Sequence, residues 1–303
     1  MIVSTLIILG LALFESITSI DNAVINAETL ATMQHRARRW FLTWGMLIAV
    51  FGVRGLLPWL LVWVMTPHLG PWQAFTASLT GDVAALNAIH DSAPVLLIGG
   101  GVFFIFLFFH WIFMEPKNYG LFVERIIERQ AAWFYAVVSI LLAIIVWIAL
   151  RRSPMLGFGA VMGSTAFFII HGFRRYAEEQ ERRLLGGEGH LSDIGKVLYL
   201  EVIDMTFSID GIVGAFAFTL SVPLILIGNG IGALVVRQLT YYGVERIKRY
   251  AYLKNGAMYS ILVLGIIMLA HSFGVSVPEW VSPLAAFVIV GYFFVRSLLA
   301  LRT

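Results

Sequence analysis

The chain has 303 residues, of which 59% are hydrophobic and only 13% charged, with a mean hydropathy of +0.86. Soluble domains carry about 25% charged residues, so this chain has too little charge to coat the two soluble domains its length would otherwise allow. The balance excludes disorder, coiled coil and nucleic-acid binding despite a net charge of +3, and it reads as a polytopic membrane protein with lipid as its solvent.

Windows of about 20 apolar residues predict nine transmembrane helices, at 2–27, 41–65, 94–114, 131–150, 154–173, 197–220, 222–243, 255–273 and 281–300. The first resembles a signal-peptide core. It has no basic start, however, and Glu15 and Asp21 stand where a small-residue cleavage site belongs, so it is expected to be retained. Pro58 is expected to kink the second span, whereas Pro154, Pro223 and Pro283 sit near helix starts, where the missing N–H costs least. Residues 66–93 are expected to form a long external loop. Gly99-Gly100-Gly101 is expected to serve close helix packing. The charged stretch 174–196 reads as a cytoplasmic linker and a surface open to a protein partner.

Basic residues set the orientation. Arg36, Arg38 and Arg39, then Lys117, Arg125 and Arg129, then the 174–196 stretch, then Arg246, Lys248, Arg249 and Lys254 all fall in one set of connections. The alternate loops are nearly free of them, Arg151-Arg152 excepted. The positive-inside rule then places the N-terminus outside and the C-terminus in the cytoplasm. The chain contains no cysteine, which removes thiolate metal sites and Cys nucleophiles. With no organic-cofactor motif and no nucleophile beside a base, no enzyme activity is expected.

The two halves carry related acid motifs. Residues 15–23 read ESITSIDNA and residues 204–212 read DMTFSIDGI, so Glu15 matches Asp204, Ser19 matches Ser208 and Asp21 matches Asp210. The next span of each half ends on an arginine, Arg54 and Arg237, and a histidine follows in the third, His110 and His271. Glu201 adds an acid three residues before Asp204. Five crossings separate the two motif helices, so they run in opposite directions. The expected fold class is therefore all-α, an inverted repeat of four, one and four helices. Its parts are a first repeat at 1–150, a linking helix and charged loop at 151–196, and a second repeat at 197–303.

A carboxylate at the bilayer centre costs about 2.5–3.5 kcal/mol on insertion scales, so acids retained there are functional candidates. On an unbroken helix, residues six apart differ by about 9 Å in height. Glu15 and Asp21 can then share an ion only if the helix opens between them. Across the antiparallel pair, Glu15 is expected level with Asp210 and Asp21 with Asp204. Asn22, Asn26, Gly211 and Gly214 suit local opening. Carboxylates, amides and carbonyls without thiols favour Mg, Ca or Mn. Arg54 and Arg237 are candidate counter-charges, and structural pairing of the acids with those arginines is the competing reading. His110 and His271 are candidates for a ligand or proton role.

At these residues the chain resembles the TerC family of integral membrane proteins, within the LysE-like transporter group. The resemblance rests on Glu15 with Ser19-Ile20-Asp21-Asn22-Ala23, on Glu201-Val202-Ile203-Asp204 followed by Phe207-Ser208-Ile209-Asp210, and on the stretch from Asn229 through Arg237 to Lys254. Gly211 stands where that family commonly has serine. The resemblance implies a divalent-cation transporter of the bacterial cytoplasmic membrane, with Mn²⁺ efflux as its activity. It also admits a non-transporting membrane factor for metal supply to exported proteins or for tellurite and metal stress. The metal set it implies is Glu15, Asp21, Asn22, Asp204, Asp210 and Glu201.

Overall fold

A backbone crossing hydrocarbon has to satisfy its N–H and C=O groups within the segment, and the apolar windows accordingly fold as helices. The computed structural model describes residues 2–31, 33–45, 48, 52, 54–66, 69–80, 82–117, 121–185, 192–242 and 249–301; the side chains of 21, 25, 28, 54, 65, 78, 79, 175–185, 203, 205–207, 241 and 242 lie outside that description. The first half contains α1 (Ile2–Thr18), α2 (Ile20–Ala31), α3 (His35–Trp40), a π-helical turn (Phe41–Gly45), α4 (Arg54–Met65), α5 (Pro71–Thr80), α6 (Val83–Met114) and α7 (Phe122–Glu128). After a 3-10 turn (Ala131–Trp133) come α8 (Phe134–Leu150), α9 (Pro154–Leu185), α10 (Asp193–Ala215), α11 (Val222–Tyr242), α12 (Leu253–Ser272) and α13 (Val281–Ala300).

Six of these segments are long and apolar enough to cross a membrane: Val83–Met114, Ala131–Leu150, Pro154–Arg174, Val222–Thr240, Leu253–Ser272 and Val281–Ala300. The pair α1 and α2, bent by 59°, makes a seventh if taken as one span. The protein is an all-helical, multi-pass membrane protein. Two expected spans look different in the structure. Of the expected span at 41–65, Phe41–Gly45 and Arg54–Met65 (α4, 12 residues) are helical, and most of 46–53 lies outside the described residues. Helix α10 has the length, at 23 residues, but carries Asp193, Lys196, Glu201, Asp204 and Asp210.

Two loop expectations are corrected. Residues 66–93 hold α5 and the first turns of α6, which Asp82 caps by accepting from the N–H groups of Ala84 and Ala85 at 3.1 and 3.2 Å. Aspartate is among the strongest N-cap residues, so α6 starts a full three turns before its apolar window. In the 174–196 stretch, α9 continues as helix to Leu185, and residues 186–191 lie outside the described residues.

Packing contacts fix the relative directions of the helices. Helix α11 runs parallel to α1, with Gly228 against Leu11 and Gly232 against Glu15. Helix α10 runs antiparallel to α1, with Gly211 beside Glu15 and Gly214 beside Phe14, and its Asp204 meets Asn22 of α2. Helix α9 runs parallel to α6, from Gly159 and Gly163 at Gly99 to His171 at His110. Helix α12 is antiparallel to α6, with Gly265 at Gly101 and Tyr259 at Phe108. Small residues let these backbones approach, as expected for helix association in lipid.

The α6–α9 crossing yields a stability prediction. A methyl group at Gly163 would overlap the Gly99 carbonyl, which is backbone and cannot swing away. Gly163→Ala is expected to cost about 1–3 kcal/mol, the range for overpacking, and to lower the unfolding temperature in detergent. At Gly172, nothing lies within 4 Å of a built Cβ. Gly172→Ala is therefore expected to be neutral or mildly stabilising.

Candidate functional site

The chain breaks at Ser19, between α1 and α2, and not at Asn22 or Asn26, where opening was expected but α2 is continuous helix. The Ser19 hydroxyl donates to Glu15 Oε1 at 2.8 Å. Glu15 is 1% exposed, so its carboxylate is held in the protein interior rather than at a lipid or water boundary. Two glycines make room for it. A methyl group at Gly211 of α10 would overlap Glu15 Oε2, and one at Gly232 of α11 would sit 2.6 Å from Glu15 Cβ. Any side chain at 211, serine included, would have to displace the carboxylate. Helix α10 itself stays continuous through Gly211 and Gly214. The expected opening is absent there because both glycines are used for close approach, Gly214 receiving the ring of Phe14.

One level further along the interface, the Asn22 amide donates to Asp204 Oδ1. Asn22 and Asp204 are both buried. Asp21, the expected partner at this level, is the second residue of α2, and its side chain lies outside the described residues. Asn22 Oδ1, Asn26 Oδ1 and both ends of the Asn229 amide are buried and make no hydrogen bond among the described residues. Buried polar atoms normally have a partner, and these lie on two helices, α2 and α11, beside Asp204 and Glu15 respectively.

Asp210 turns to a different partner, accepting from Arg174 Nη2 at 2.7 Å with side chains 10% and 14% exposed respectively. Arg174 stands at the end of the apolar part of α9. Its position after a full-length apolar window was the available signal in the sequence. Glu201 is buried against Gly45 of the π-helical turn, and neither of its oxygens has a hydrogen-bond partner among the described residues. From Glu201 to Asp210 the acids of α10 span about 14 Å of helix. No three His, Asp or Glu side chains converge on one point among the described residues. The acids are strung along an interface in separate levels.

The other expected residues lie elsewhere. Arg54 opens α4, and its side chain is outside the described residues. Arg237 lines a cavity with His35, Arg38 and Arg39. The His110 ring lies 3.8 Å from that of His171, among Phe134 and Phe167. His271, in the last turn of α12, accepts from the Val277 N–H at 3.2 Å and so holds the following turn.

A second polar cluster, missed in the sequence, joins α6, α7 and α12. Glu124 is fully buried and accepts from the Asn255 amide and the Leu121 N–H, each at 2.8 Å. Beside it the Lys117 ammonium donates to the Trp111 carbonyl and lies 3.9 Å from the centre of that buried ring. Burial pushes Lys117 down to about 8, with Glu115 and Glu124 opposing. Below pH 8 the amine is charged folded and unfolded, and the full cost of burying it is present. Between pH 8 and 10.5 the folded protein has released a proton that the unfolded chain still binds, so stability rises with pH by up to about 1.4 kcal/mol per unit. Unfolding followed from pH 7.5 to 10 is expected to show this rise for wild type relative to Lys117→Met. Parallel curves for the two would mean that Lys117 titrates normally.

A family profile described as "Protein of unknown function (DUF475)" matches residues 20–303. No curated protein and no solved structure matches the chain.

Proposed function

The chain belongs to the DUF475 family, and from the buried acids of α1 and α10 we propose that it is a divalent-cation transporter of the bacterial cytoplasmic membrane, with Mn²⁺ as cargo and export as direction. The observation that carries the reading is the meeting of the two acid motifs in levels. Glu15 lies over Gly211, next to Asp210, and Asn22 binds Asp204. Buried amide groups of Asn22 and Asn26 on α2 and of Asn229 on α11 have unused hydrogen-bonding atoms. Oxygen donors of this kind suit hard divalent cations. The TerC resemblance at 15–26 and 201–214 supports manganese in particular.

In this reading the nine spans form an inverted repeat of four, one and four helices, with the N-terminus outside and the C-terminus in the cytoplasm. The opposed directions of α1 and α10 support it, as do the basic connections. A cytoplasmic cation meets the Asp21/Asp204 level first and the Glu15/Asp210 level second. The break at Ser19 separates Glu15 on α1 from Asp21 on α2. Arg174 supplies positive charge to Asp210 while the cation is absent and yields when it arrives. Protons returning to the same acids offset charge on the way back.

Cells expressing the wild-type chain are expected to accumulate less Mn²⁺ than cells expressing Asp21→Asn or Asp210→Asn at equal protein level. Equal accumulation in all three would reject the assignment. Metal binding without net movement would instead favour a non-transporting factor that hands metal to exported proteins, with the charged end of α9 as its partner surface.

A further inference from the structure

A cavity of about 480 Å³ lies between α3 with its following turn and the C-terminal part of α11. Its wall contains His35, Arg38 and Arg39 from the first repeat and Arg237 with Gln238 from the second. No acid lines it among the described residues. The two groups of basic residues are about two hundred positions apart in sequence, so the fold itself assembles the cluster.

Three guanidinium groups stay charged at any physiological pH. Gathered around one concavity, they repel one another and focus a positive potential into it. The volume is in the range of small-molecule pockets. The planar donor fork of arginine matches the paired oxygens of phosphate, and Gln238 adds neutral donors at the rim. The Gln34 N–H lies 3.4 Å from Asp193 Oδ2 at the start of α10, which places α3 at the end of the bundle where α10 begins. In the proposed orientation that is the cytoplasmic side, at the depth of lipid headgroups.

We propose that this cavity binds a phosphate-type anion, either a free phosphate group or the headgroup of an anionic lipid. The site is independent of the acids of α1 and α10, and its occupancy is read by binding rather than by cation movement. Full-length protein stripped of lipid in a neutral detergent is titrated with inorganic phosphate by calorimetry, with chloride at matched ionic strength. In parallel, native mass spectrometry follows lipid retained from bilayers of phosphatidylglycerol and phosphatidylcholine. Saturable phosphate binding without lipid retention assigns the free anion. Retained phosphatidylglycerol that blocks phosphate assigns the headgroup. In either case Arg38→Gln combined with Arg237→Gln is expected to weaken binding at least tenfold. Arg36→Gln, on the same helix but outside the cavity wall, is expected to leave it unchanged. Arg38→Lys with Arg237→Lys keeps the charge and is expected to recover part of the affinity, which separates anion binding from misfolding. The proposal is overturned if chloride reproduces the phosphate response, if neither ligand binds, or if the double glutamine variant binds like wild type.

Discussion

Replacing Asp204 with asparagine is expected to lower divalent-cation affinity at least about a hundredfold while leaving the fold intact. That is the upper end of what outer-shell partners alone cost a metal site, and Asp204 is proposed as a direct ligand. The substitution is nearly isosteric. Its carbonyl oxygen can still accept from the Asn22 amide, and its new N–H groups find the unused Asn22 Oδ1 nearby. Removing a buried charge and adding a hydrogen bond should hold or raise thermal stability. Calorimetric Mn²⁺ titration together with thermal unfolding separates the two effects. Glu115→Gln serves as control, because its ion pair with Lys254 is partly exposed and such pairs contribute little. A variant that unfolds early, or one that binds like wild type, would remove Asp204 from the cation path.

The second large effect is expected at Arg174. Arg174→Gln leaves Asp210 buried without its 2.7 Å partner, and breaking a buried pair from one side costs about 3–5 kcal/mol. Arg174→Gln with Asp210→Asn removes both charges and is expected to regain most of that loss, giving a large coupling in a double-mutant cycle. The cation reading adds a distinctive consequence. With its internal counter-charge removed, the site should depend more on metal, so Mn²⁺ should raise the unfolding temperature of Arg174→Gln more than that of wild type. A purely structural ion pair would show the coupling without the metal effect.

The acids were legible in the sequence because each stands in an apolar window where it has no other reason to be. The antiparallel relation of α1 and α10 followed from counting crossings between Glu15 and Asp204. Their immediate surroundings were not legible. Gly211 and Gly232 read as small residues, but which carboxylate they receive depends on helix register, which hydropathy does not encode. The Arg174–Asp210 pair was not legible because hydropathy places backbone positions and not the reach of a long side chain. The start of α6 was missed for a related reason. Its first turns, with Asp82, His90 and Asp91, are too polar for a lipid window, yet the Asp82 cap makes them helix. Glu124 sits in a short charged connection and gives no periodic signal. Only its contacts with Asn255 and Leu121 distinguish it from surface acids.

Manganese flux into liposomes carrying the full-length chain tests the cation path most directly. Saturable uptake by wild type, lost in Glu15→Gln although that variant inserts and unfolds normally, is the predicted result. Uptake by Glu15→Gln equal to wild type, or tight metal binding by wild type with no flux above empty liposomes, would contradict it.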